Sequence, residues 1–112
     1  MERLVIRDKV KEEVKKIVER LKSNYAPEKV ILFGSLADGR ARSESDIDLI
    51  IIKQTKEKPW ERTARVDAFI SHNMPVDLLV YTPEEIEERL MMNDFFVKEV
   101  LEKGRVLYEK GL

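Results

Sequence analysis

The 112-residue chain has no cysteine and a single histidine, His72. The first absence excludes disulfide frameworks, thiolate zinc sites and cysteine nucleophiles; the second leaves no multi-histidine metal centre. His72 itself reads as a surface residue near a helix end. Neither sign of charge is in excess: 21 Lys and Arg stand against 22 Asp and Glu, for a net charge of -1. A protein that grips long nucleic acid draws its affinity from neutralised phosphates and carries a basic surplus, so no such partner is expected. A small anion held by a few local cations is compatible with the balance. Long hydrophobic runs are missing as well. Among the longest is Leu49 to Ile52, a strand's worth. No membrane span or signal peptide is expected, and the expected compartment is the cytoplasm.

What remains is 43% apolar and 38% charged, which suits one domain over residues 1–112 with one core and a heavily solvated surface. Val10, Val14, Ile17, Val18 and Leu21 recur at helical spacing, predicting a helix over 8–23 with Asp8 as its N-cap. Val30 to Phe33 reads as a short buried strand, 34–45 as a polar turn region, and Asp46 to Lys53 as a second, central strand. A helix is expected from Pro59 to about Ser71, with Trp60, Ala64, Ala68 and Phe69 inward. Pro75 to Tyr81 is the third strand. Thr82-Pro83-Glu84-Glu85 has the form of a capping box opening a helix that falters at Asn93-Asp94. Another helix follows, carrying Phe96, Val97, Val100 and Leu101 and ending at Gly104 as a C-terminal cap, before a last strand over 105–109. The expected class is α/β (α+β), a small mixed sheet with helices packed on it.

The anomaly is acid inside strands. Asp46 and Asp48 are two apart, so an extended chain points both to one face, with Ile50 and Ile52 following on that face. Asp77 interrupts Val76 to Val80, which is otherwise continuous hydrophobe. Were those strands neighbours, three carboxylates would meet at one end of the sheet and repel, and a hard cation such as Mg²⁺ or Mn²⁺ would offset them. At least one carboxyl is then expected to hold its proton above the ordinary range. Gly34-Ser35 follows a strand and precedes a short helical piece, where free backbone N–H groups can hold a phosphate.

Taken together, Gly34-Ser35, Gly39, Ser45-Asp46-Ile47-Asp48-Leu49 and Asp77 resemble the signature of the DNA polymerase beta-like nucleotidyltransferase superfamily. Ile31-Leu32-Phe33-Gly34-Ser35 and the short length resemble its minimal nucleotidyltransferases. The resemblance implies that Asp46 and Asp48 bind two divalent ions, Mg²⁺ or Mn²⁺, that Asp77 is the third carboxylate near the attacking hydroxyl, and that Gly34, Ser35 and Ser45 hold the nucleotide. It implies attack on the α-phosphorus of a nucleoside triphosphate, AMP coming from ATP. The acceptor is then a hydroxyl, a tyrosine of a HEPN-type toxin in the family's antitoxin members. A non-catalytic antitoxin with a degenerate site is the alternative. Asp38 stands before Gly39 where many minimal members carry arginine; an acid is a poor neighbour for a triphosphate, and Arg40 and Arg42 are the nearby cations.

Overall fold

In a computed structural model the described residues are 2–34, 37, 46–70 and 75–111, with the backbone alone for 2–8. The elements in chain order are α1 (Glu2–Asn24), β1 (Lys29–Phe33), β2 (Ile47–Ile52), α2 (Pro59–Phe69), β3 (Val76–Tyr81), α3 (Pro83–Met91), α4 (Phe95–Lys103) and β4 (Arg105–Glu109). The strands form one mixed sheet in the order β3-β2-β1-β4. β1 pairs antiparallel with both β2 and β4, and β2 pairs parallel with β3. Among the described residues no helix is long and apolar enough to cross a membrane.

Strand alternation divides the core in two. Val30, Leu49, Ile51 and Val80 face α1 and α2, meeting Ile17, Leu21, Val66 and Ile70. Ile31, Ile50 and Ile52 face the other way, against Ile86 of α3 and Val97 and Val100 of α4. β2 is thus covered on both faces, which is why its sequence is nearly unbroken isoleucine and leucine. Asp48 alone on this strand is not fully buried.

The predicted capping box forms: Glu85 N–H donates to Thr82 Oγ1 at 3.1 Å, and Thr82 N–H donates to Glu85 Oε1 at 2.8 Å. Two other expectations are corrected. α1 begins at Glu2, so Asp8 lies within the helix and is not its N-cap. In α2 the inward residues are Arg62 and Val66, with Ile70 just beyond and Phe69 partly buried against the core as expected, whereas Trp60 is 69% exposed and Ala64 and Ala68 face solvent. The reason is tertiary. Arg62 lays its stem into the core and spends its guanidinium on three oxygens: Glu57 O at 2.7 Å, Val80 O at 3.2 Å and Glu85 Oε1 at 2.6 Å. A buried charge is tolerable only with such partners, and here they tie α2 to β3 and α3.

Gly104 caps α4 as expected, in extended conformation (φ -69°, ψ 162°), its N–H donating to Val100 O at 2.8 Å. Its small size matters for another reason. A Cβ there would lie 2.5 Å from Val100 O and 2.7 Å from Ile31 Cγ2. Gly104→Ala is expected to lower stability by about 1–3 kcal/mol through overpacking. A urea midpoint unchanged within error would show that α4 can shift to make room.

Candidate active site

The acidic residues come together through the pairing of β2 with β3. The register sets Ile47 opposite Val76, Asp48 opposite Asp77 and Leu49 opposite Leu78. Register partners in parallel strands share a face, so both carboxylates emerge on the α3–α4 side, beyond the ground those helices cover. Asp46 immediately precedes β2 and is half-buried; Asp77, on the edge strand, is exposed. On the other side of Asp48 stands Phe33, its partner in β1.

The carboxyls of Asp48 and Asp77 hydrogen-bond to each other, while Asp46 acts on Asp48 through its charge. Burial, the charge of Asp77, that hydrogen bond and the charge of Asp46 push Asp48 up from an ordinary 3.8 to about 6. Among the described residues no three His, Cys, Asp or Glu side chains are gathered tightly enough to hold a metal ion. The arrangement is therefore a hydrogen-bonded pair with a third carboxylate in electrostatic reach. Its donors are all oxygens, which suits a hard divalent cation, and the high proton affinity of Asp48 marks a place short of positive charge.

Gly34 closes the site from β1. Its backbone is left-handed at φ 76°, and any Cβ would collide with the Asp48 carboxylate. The Ala37 N–H donates to Gly34 O at 3.1 Å, turning the chain directly after the strand. Asp46, Asp48, Asp77 and Gly34 are thus neighbours. Ser35 and Ser45 lie outside the described residues, as do Asp38, Gly39, Arg40, Arg42 and His72.

Two aromatic residues beside the acids had not been singled out for the site. Phe33 and Phe96 meet edge to face at 5.4 Å, and with Gly34, Ala37, Val100 and Lys103 they line a hollow of about 270 Å³. The position of Phe33, one residue before Gly34 and on a strand, was the available signal for it. Nothing local signals Phe96.

The family described as "Polymerase beta, Nucleotidyltransferase" matches residues 15–111. The chain belongs to this family. It is a nucleotidyltransferase, of the polymerase beta-like superfamily. A Methanocaldococcus jannaschii protein named "putative protein adenylyltransferase" is 33% identical over 97 residues, covering 85% of this chain and 94% of the relative. Among solved structures, a "putative nucleotidyltransferase" from Sulfolobus solfataricus superposes with a TM-score of 0.70 at 24% identity, over 96% of this chain and 86% of that one. A toxin-antitoxin crystallised with AMP-PNP gives 0.56 at 21% identity, over 87% of this chain and 73% of that one. A mutant of the toxin-antitoxin MntA-HpeT gives 0.54 at 20% identity, over 87% and 72%. These structural likenesses are likenesses of fold.

The raised pKa of Asp48 has a consequence for stability. Between pH 3.8 and about 6 the folded chain holds a proton that the unfolded chain has released, so stability falls as pH rises through this window. Above it the site carries a standing cost, on the order of 2 kcal/mol after allowance for the solvent that reaches Asp48. In chelator at pH 7.5, Asp48→Asn is expected to melt about 5 °C above wild type, and to lose that advantage below pH 4. Identical melting at both pH values would mean that the acids do not strain one another.

Proposed function

We propose that the chain transfers AMP from ATP to a hydroxyl of a partner protein. In this reading Asp46, Asp48 and Asp77 form the acidic centre, and Gly34, Ser35 and Ser45 hold the nucleotide. The observation that carries it is the juxtaposition of Asp48 with Asp77 across parallel strands, beside a glycine with no side chain to block that carboxylate. The choice of AMP and of a protein acceptor is supported by the M. jannaschii relative and its printed name. The fold shared with toxin-antitoxin proteins, one of them holding AMP-PNP, supports the setting: the partner is a toxin of HEPN type, its acceptor a tyrosine, and this chain the antitoxin.

The acceptor oxygen forms a bond to the α-phosphorus in line with the oxygen that bridges to the β-phosphate. That bridging bond breaks, and pyrophosphate leaves with the electron pair. The hydroxyl proton passes to a carboxylate; Asp77, the exposed member of the pair, is the one an incoming acceptor can reach. Asp48 and Asp46, less exposed, hold the reacting phosphate's counter-charge in place. Two Mg²⁺ ions, or Mn²⁺, held by Asp46, Asp48 and Asp77 would acidify the attacking hydroxyl and neutralise the leaving oxygen. The backbone of Gly34 comes close to the site because it carries no Cβ.

Calorimetry with ATP is expected to show binding that needs Mg²⁺ or Mn²⁺ and is largely removed by Asp46→Asn or Asp48→Asn. Equal affinity with and without chelator would sink the metal assignment. Asp77→Asn is expected to lower single-turnover transfer from α-labelled ATP by roughly 10²–10⁴-fold, the range for losing a positioned acid or base, with less effect on ATP binding. Neutralisation of a co-expressed toxin by wild type and by all three variants alike, without label transfer, would establish the non-catalytic antitoxin instead.

A further inference from the structure

The turn between α3 and α4 displays its largest side chains. Met91, Met92 and Phe95 are 84%, 79% and 83% exposed, and Leu90 and Phe96 beside them are 39% and 42% exposed. The display is fixed by the backbone. Asn93 takes a left-handed conformation at φ 58°, and Asp94 accepts from Val97 N–H at 3.1 Å and from Arg89 Nη1 at 3.0 Å. A rigid apolar cluster of this kind marks a surface meant to be covered.

The cluster leads inward. Phe96 packs on Phe33, and Phe33 is the cross-strand partner of Asp48. The hollow these rings line also reaches Gly34, which abuts the Asp48 carboxylate. The hollow, lined also by Val100, Glu99 and Lys103, therefore leads from Phe96, next to the surface turn, toward the acidic pair. The edge-to-face pair makes one aromatic wall, and it suits another ring laid against it with a polar tip toward the acids.

Charge narrows the identity of the occupant. On α3, Glu84, Glu87 and Glu88 are exposed, and the helix's one basic residue, Arg89, is bound to Asp94. A second copy docking by the same face would set these glutamates against their own equivalents across a two-fold axis. A partner with basic residues around an apolar anchor meets no such repulsion.

We propose that the α3–α4 turn is the docking face for the protein acceptor. Met91, Met92 and Phe95 receive an apolar anchor, the α3 glutamates attract a basic surround, and a tyrosine side chain passes along Phe96 and Phe33 to Asp48. This rests on the transfer reading above for its chemistry, though docking can be measured without transfer.

The probes are fluorescein-labelled random copolymers of lysine and tyrosine and of glutamate and tyrosine, with polylysine of matched length, followed by anisotropy. Wild type is expected to bind the lysine–tyrosine copolymer about tenfold more tightly than polylysine, and the glutamate–tyrosine copolymer not at all. Met92→Ser/Phe95→Ser, at exposed positions that spare the fold, should abolish the preference for tyrosine. Glu87→Lys/Glu88→Lys should weaken binding of both basic polymers. Equal binding of polylysine and the lysine–tyrosine copolymer, or unchanged binding by the Ser variant, overturns the proposal. So does a wild-type dimer in sedimentation equilibrium that the Ser variant disperses, which would give the face to a second copy. With α-labelled ATP added, tyrosine-dependent binding without labelling of the copolymer leaves the docking face standing and counts against the transfer reading.

Discussion

The site depends on one register. β2 and β3 run parallel with Asp48 directly opposite Asp77. A slip of one residue would turn every β3 side chain to the other face, sending Asp77 toward the packed layer of α1 and α2 and Val76, Leu78 and Val80 toward solvent. An unpaired carboxylate in that layer would be far more costly than the exposed position it now holds. The hydrophobic pattern of β3 and the placement of its one acid thus enforce the same alignment. The strands' places in the sheet then divide the two aspartates. β2 is central and β3 is an edge, so Asp48 is half-withdrawn from water while Asp77 stays open to it. Burial heads the causes that raise the Asp48 carboxyl, and the neighbouring acids add to it.

Much of this was legible from local chemistry. The alternation of apolar residues located the strands, the two-residue spacing of Asp46 and Asp48 marked them as a pair at the start of β2, and Thr82 with Glu85 announced the start of α3. These signals lie within a few residues of what they specify. The misreadings share the opposite property. Trp60 looked like an inward residue of α2 because it is large and apolar, but the buried position went to Arg62, whose partners Val80 and Glu85 lie far along the chain. Gly104 does cap α4, but that its size is dictated by Ile31, on a strand far away in sequence, is announced by nothing local. The pairing of Asp48 with Asp77 could be framed only as a condition, since nothing local says which strands are neighbours. Phe96 reaches the site only through Phe33, a contact that exists once α4 is docked on the sheet.

The helices contribute unequally to the two faces. α1 and α2 seal one side of the sheet, with Ile17, Leu21 and Val66 fully buried. α3 and α4 cover the other side only in part, burying Ile86, Val97 and Val100 and stopping short of the carboxylates. The sealed side supplies rigidity, and the partly covered side supplies access. Arg62 joins the two arrangements, since it anchors in the sealed layer yet holds Glu85 at the start of α3. A short chain can therefore present an open acidic edge without a loose fold.

Gly34 and Asp48 occupy space on mutually exclusive terms: a side chain at one collides with the side chain at the other. This imposes an order on how such a site can be lost. While Asp48 is present, residue 34 is confined to glycine by crowding as well as by its left-handed backbone. Once Asp48 shrinks to alanine or glycine the crowding is gone, and only the backbone restricts the position, so asparagine becomes admissible. A side chain at residue 34 therefore finds room only after the one at residue 48 has shortened or moved.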